Sequence, residues 1–237
     1  MLIIPLRIIR YSDTRSILNA YSRENGRLSF LIPEGNGKAV ARRRSLFQPL
    51  FPIEGVVDAK PNSEFARISA TRPVFPMASI PGNPVKQSMM MFLAELLSAL
   101  LRHPEPDPLL FDFIISSIRT FDSLPTVRTA NFHIVFLYRL AELLGIFPDI
   151  RTYSHAMVFD MKDSVFRITP PLHKDFISPE ESAVLPLLDR LSYRNMHLLR
   201  LSREQRNAII DRILRYYEIH DFPIHPLRTL PVLRSLF

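Results

Sequence analysis

An α+β architecture is predicted for this 237-residue chain: a small N-terminal β-barrel, then an all-α region carrying a small β-hairpin insertion. Three observations carry that expectation. The first 75 or so residues read as short apolar runs separated by turn signals. At Pro81-Gly82-Asn83-Pro84 the pattern changes to helical periods with start and stop signals. Residues 151–176 then alternate again, as AMVFDMKDSVFRI. The division falls at 1–78 for the barrel and 79–237 for the helical domain, with the hairpin insertion at about 151–176.

LIIPLRIIRY is rich in β-branched residues and interrupted by Pro5, which marks an edge strand or a bulge. Asn25-Gly26 stands between two apolar runs and signals a hairpin. With that dipeptide as a two-residue loop, Tyr21 pairs with Phe30 and Arg23 with Leu28. Ile17, Tyr21, Leu28, Phe30 and Ile32 then share the core face. Two more strands fit Gln48–Val57 and Phe65–Arg72. Five short strands with one long basic loop suit a small closed barrel of the OB-fold type.

Asn83 and Pro84 open a helix through about Leu101, as N-cap and first-turn proline. RHPEPDP breaks it, and Asp107-Pro108 starts a helix to about Phe121. A third, Thr126 to Leu144, stops at Gly145. Ser178-Pro179-Glu180-Glu181 and Ser202-Arg203-Glu204-Gln205 are capping boxes, and the tail makes one last short helix. MMMFLAELLSALL is apolar around most of its circumference and is assigned to the helical core.

Function is narrowed first by what is missing from the sequence. There are no cysteines, which excludes disulfides, a thiol nucleophile and any Cys-ligated zinc or iron–sulfur site, and fits a reducing cytosol. The longest apolar run, Met89–Leu101, contains Glu95 and falls short of the roughly 20 residues of a membrane span. The apolar N-terminus is short and arginine-bearing, unlike a secretory signal. We therefore expect a soluble, cytoplasmic protein. The seven histidines show no metal-ligand spacing. His155, Asp160, Asp163 and His173 fall close together, and polar residues on a surface hairpin account for them. No phosphate-loop, dinucleotide or nucleophile-elbow pattern occurs, and GNGK at 35–38 reads as an ordinary connection. The chain is expected not to be an enzyme.

What it does offer is positive charge. The net charge is +7, and residues 1–50 hold nine Lys/Arg against three acidic residues, so the excess lies in the expected barrel. GNGKAVARRRSLFQPL concentrates it in Lys38, Arg42, Arg43 and Arg44. On a loop, these side chains lay cations along a phosphate backbone, with the arginine forks gripping phosphate oxygens. Arg15, Arg23 and Arg27, with Arg7 and Arg10, lie on neighbouring strands and widen the patch. A merely solubilising loop is the plainer alternative. Tyr11, Tyr21, Phe30, Phe47 and Phe51 are assigned to core packing rather than base stacking.

The order of motifs resembles the RecO family of bacterial recombination mediators. Tyr21-Ser22-Arg23-Glu24-Asn25-Gly26, Gly35, Ser45 and Phe47-Gln48-Pro49-Leu50 stand where that family has its hairpin, strand end, basic loop and Leu-Gln-Pro motif. LFDFIISSIRTF at 110–121, FLYRLAELLGIFPDI at 136–150 and the C-terminal RYYEIHDF…LRSLF extend the likeness over nearly the whole chain. The resemblance implies a non-catalytic protein in DNA repair that binds single- and double-stranded DNA and promotes strand annealing. With RecR, it would help load RecA onto DNA coated by single-strand-binding protein, whose C-terminal tail docks on the helical domain at residues the sequence does not place. DNA contacts would then be Lys38, Arg42, Arg43 and Arg44, with Arg15, Arg23 and Arg27 in support. Many members carry a four-cysteine zinc site after the Leu-Gly-aromatic-Pro ending. Without cysteine that cofactor cannot be carried over. A metal-free hairpin packed through Val158, Phe159, Val165 and Phe166 is expected in its place. An OB-type RNA binder and an interaction scaffold with a basic surface remain the alternatives.

Overall fold

The computed structural model describes residues 1–35, 37–58, 64–102, 105–222, 224 and 226–236; the side chains of Ala39, Arg42 and Arg43 also lie outside the description. Two compact units emerge, Met1–Ser123 with Pro226–Leu233, and Leu124–His225 with Arg234–Phe237.

In the first unit, β1 (Leu2–Arg10), β2 (Arg15–Ser22), β3 (Gly26–Pro33), β4 (Ile53–Asp58) and β5 (Arg67–Pro73) form one sheet in the order β3-β2-β1-β4-β5. Every pairing in it is antiparallel. Pro5 has no amide to donate and sits where the β1–β2 register shifts, the bulge its position in the sequence predicts. A second shift falls between Glu54 and Val56. There a Cβ on Gly55 would stand 2.9 Å from Ile68 Cγ1 and 3.1 Å from the Ser69 carbonyl oxygen, so only glycine fits. The outer strands β3 and β5 meet in one parallel bridge, Phe30 to Ala66. Leu31 N–H donates to Ala66 O at 3.1 Å, and Ala66 N–H to Ser29 O at 2.9 Å. Among the described residues this bridge is all that joins the edges, so a ladder closing the barrel is not detected.

The hairpin register differs from the expected one. Tyr21 pairs with Arg27 and Leu18 with Phe30, a shift of three residues. The Ser22 hydroxyl accepts the Asn25 amide at 2.9 Å, and Gly26 takes the left-handed φ of +62°. The loop is therefore Arg23-Glu24-Asn25 and not Asn25-Gly26. The even residues of β2 consequently form the core face, where Leu18 and Ala20 join Ile3, Phe30, Ile32, Phe47, Ile53 and Ile68. Tyr21 lies on the opposite face, 6.2 Å from the Phe111 ring.

Between β3 and β4 the expected basic loop is instead a helix, α1 (Lys38–Leu46). Alanine and arginine are strong helix formers and outweigh the flanking glycines. Its end delivers the fully buried Phe47 to the sheet core. α2 (Pro84–Leu100) and α3 (Pro108–Ser123) begin as predicted: the Asn83 side chain accepts the Lys86 amide at 3.1 Å and Asp107 accepts Leu110 N–H at 2.9 Å. Glu95, the acid inside the apolar run, accepts from the backbone amides of Arg228 and Thr229. Lys86 is buried, and its ammonium donates to Ser79 Oγ and to the carbonyls of Phe121 and Asp122. The Asp122 carboxylate accepts from the amides of Ala78, Ser79 and Ile80.

In the second unit, a 3-10 turn at Thr126–Arg128 precedes α4 (Phe132–Leu143), where one continuous helix was expected. The insertion is a three-stranded sheet rather than a lone hairpin: β6 (Val158–Asp160), β7 (Val165–Arg167) and β8 (Phe176–Ile177), in the order β7-β6-β8. Val158, Phe159 and Phe166 are buried, with the two phenyl rings 5.0 Å apart. Asp160 is buried too. It accepts from the Lys162 and Asp163 amides and from Arg167 Nε, with His173 Nε2 at 3.3 Å. Among the described residues no His/Cys/Asp/Glu group is arranged to hold a metal. This unit continues through α5 (Pro179–Ser182), α6 (Leu185–Asp189) and α7 (Arg203–Ile219), and α8 (Leu230–Leu236) follows, its first four residues belonging to the first unit. Ser202 and Gln205 form the full capping box of α7. Among the described residues no helix is long and apolar enough to cross a membrane.

Candidate nucleic-acid interface

The strand registers decide where the basic residues fall. Arg10 pairs with Ser16, Arg15 with Pro33 and Asp58 with Arg67. The end of β1, the start of β2 and the end of β3 therefore share one end of the sheet, and α1 begins just beyond β3. β4 runs antiparallel to β1 from the Leu2–Glu54 pair, so the end of β4 and the start of β5 lie at the other end of the ladder and come to this corner only across the Phe30–Ala66 bridge between the edges. Arg10, Arg15 and Lys38 are exposed at that end, and Arg67, next to the bridge, is exposed too. A groove runs between the β3 and β5 edges past their single bridge, lined by Thr14, Arg15, Pro33, Asp58 and Arg67 among others.

Arg44 belongs to the same corner. Its guanidinium pairs with Glu34, which also accepts the Ser16 hydroxyl; the Glu34 amide donates to Thr14 O at 2.8 Å. That hydroxyl, with Arg44 and Arg10, holds the Glu34 carboxyl below the usual carboxylate range. Arg44 is still half exposed. The backbones of Arg42 and Arg43 are in α1, and their side chains lie outside the described residues.

Arg23 and Arg27 are not brought together with these. They flank the β2–β3 turn, at the far end of an eight-residue strand, roughly 25 Å away at the strand rise. Arg23 makes a bidentate pair with Asp112, both bonds 3.0 Å. Arg27 donates to the carbonyls of Ser98 and Leu101 at 2.8 and 2.9 Å, closing the C-terminal end of α2. Burial there lowers the pKa of its guanidinium, with Arg102 and Arg7 adding to the effect.

Comparison with known proteins supplies what geometry leaves open. Residues 3–77 match the family described as Recombination protein O N terminal, and residues 82–226 match Recombination protein O C terminal. The chain belongs to the RecO family. It is 39% identical over 236 residues to the DNA repair protein RecO of Phocaeicola vulgatus, covering 99% of this chain and 97% of that one. Identity to the RecO of Bacteroides fragilis is 37% over 237 residues, and to that of Porphyromonas gingivalis W83 35% over 238, at the same coverage. It is thus a DNA repair and recombination protein of a family of non-enzymatic recombination mediators, and a RecO chain without cysteine.

Two residues near the basic end carry no local signal in the sequence. Arg67 comes beside Arg15 only through the parallel bridge from Phe30 to Ala66, a contact between the two edge strands. Tyr11 was assigned to the core, yet it is 60% exposed, whereas Tyr21, Phe30 and Phe47 are buried. It lies past the last core position of β1, in a turn whose direction the sequence does not show.

In the second unit, Tyr138, Phe159, Leu188, Ile213 and Tyr216 line a small apolar recess beside Arg212. The Tyr138 hydroxyl is buried without a hydrogen-bond partner among the described residues, and burial raises its pKa.

Proposed function

We propose that this RecO-family chain binds single- and double-stranded DNA through the basic end of its N-terminal sheet and promotes annealing of complementary strands. The observation that carries the reading is the gathering of Arg15, Lys38 and Arg44 at one end of the sheet, with Arg67 joining Arg15 along the groove between the β3 and β5 edges. Arg42 and Arg43 follow from α1 sharing that end. Cations in that arrangement neutralise phosphates on two strands at once, which lowers the repulsion that opposes pairing. Arg23 and Arg27 act through their field, since each already holds a protein partner. The five strands are assigned to an OB-type barrel. β1 pairs with both β2 and β4, the helix lies between β3 and β4, and β3 meets β5 in parallel, which supports that connectivity.

The protein works in the cytoplasm with RecR to load RecA onto DNA coated by single-strand-binding protein. The tail of that coating protein is assigned to the recess beside Tyr138. Its apolar lining, its unpartnered hydroxyl and the half-exposed Arg212, now paired with Glu181, suit an acidic, apolar chain end.

Annealing of complementary oligonucleotides, followed by fluorescence quenching, tests the main claim. The Lys38→Glu/Arg44→Glu double variant should lose most of the acceleration over spontaneous annealing at 50–100 mM salt. Full acceleration by that variant would remove the basic end from the reading.

A further inference from the structure

Tyr11 lies in the β1–β2 turn, whose Thr14 and Arg15 line the groove, and has no packing role in the core. The turn holding it is closed by two backbone bonds, Tyr11 N–H and Ser12 N–H to Arg15 O at 3.1 and 2.9 Å. Arg10 and Asp13 pair across the same turn at 2.8 Å. The tyrosine ring rests on Phe65, with centroids 5.8 Å apart and planes at 57°, and leaves more than half of its surface to solvent. Phe65 directly precedes the Ala66 bridge and Arg67. An aromatic ring in contact with a second ring therefore stands next in the chain to Arg10, in the turn that Arg15 closes, with Phe65 two residues from Arg67.

From this we infer that Tyr11, backed by Phe65, is a stacking platform for an unpaired nucleobase of single-stranded DNA whose phosphates follow Arg15 and Arg67. The inference rests on the DNA-binding reading above and specifies how a single strand is told from a duplex. The phosphates of both forms meet the same arginines, but only an unpaired base exposes its π face to the ring. Stacking is tolerant of base identity because every base has such a face. Support from Phe65 and the closed turn reduces the side-chain freedom lost on binding. Asp58, the one carboxylate among the described lining residues, is the cross-strand partner of Arg67 and offsets part of its charge.

The test is fluorescence anisotropy of labelled oligothymidylate, an abasic single strand of equal length and a duplex. Each is titrated with wild type, Tyr11→Ala, Tyr11→Phe and Arg15→Ala. Tyr11→Ala should bind oligothymidylate about tenfold more weakly and leave the abasic strand and duplex unchanged. Tyr11→Phe, which keeps the ring, should stay within about twofold of wild type. Arg15→Ala should weaken all three ligands. If Tyr11→Ala changes nothing, or weakens the abasic strand equally, the platform is wrong while the effect of Arg15→Ala still upholds the DNA reading. If the wild type binds none of the ligands, both fall together.

Discussion

Glu34 shows how one acid tunes a basic surface. Its carboxylate holds Arg44 and takes the Ser16 hydroxyl, standing where a phosphate oxygen would compete. Glu34→Gln should therefore release Arg44 and tighten DNA binding by about twofold or more at low salt, read by anisotropy. Weaker binding instead would mean that Glu34 chiefly orients Arg44. Asp122 has a different task, since its three backbone amides and the nearby Lys86 ammonium tie residues 78–80 to the end of α3. Although burial opposes ionisation, the amides prevail and keep its pKa below the ordinary value. Its contribution is complete above the unfolded pKa of about 3.9 and is lost as pH falls through the lower folded value. Asp122→Ala should cost about 2–3 kcal/mol in urea unfolding at pH 7.

At the scale of elements, α1 changes what the arginine run can do. Successive helical positions turn by about 100°, so α1 holds the three backbone positions at fixed spacing just past the end of β3, which a loop would not. Breaking the helix with Ala41→Pro should free the run from its corner and weaken DNA binding, with the sheet retained by circular dichroism. The helix was missed because Gly35 and Gly37 punctuate the segment like a loop, while nine residues of good propensity give little periodicity to notice. The starts of α2 and α3 were legible, because Asn83-Pro84 and Asp107-Pro108 cap their own helices with bonds only three residues long. The β2–β3 register was not, since a three-residue turn, with the Asn25 amide on the Ser22 hydroxyl and Gly26 at positive φ, replaces the two-residue loop that Asn25-Gly26 signals. The small sheet's third strand, β8, pairs with β6 from sixteen residues away, too far for local pattern to reveal. The candidate site was legible as charge and illegible as place. Lys38, Arg15 and Arg44 stand out in the sequence by residue type alone, and the β2–β3 register is what sets them apart in space from Arg23 and Arg27.

For the whole molecule, stability should fall in mild acid before the carboxylates protonate. His133 is fully buried in α4, and burial, with Arg206 adding repulsion, pushes its imidazole down to about 3. The unfolded chain takes up a proton near pH 6.5 that the folded chain refuses. This histidine's contribution is therefore complete above about pH 6.5 and declines toward pH 3, by about 1.4 kcal/mol per pH unit where the two forms differ fully. A series of urea melts from pH 7 to 4 should show that slope, and His133→Gln should flatten it. The central expectation is that DNA meets the charged end of the sheet. Anisotropy of a labelled single strand over a salt series, comparing wild type with Arg42/Arg43/Arg44→Ala, measures that directly. Loss of one or two phosphate contacts should flatten the log–log salt slope by about one to two units. An unchanged slope with intact binding would contradict the account and move the DNA to another surface.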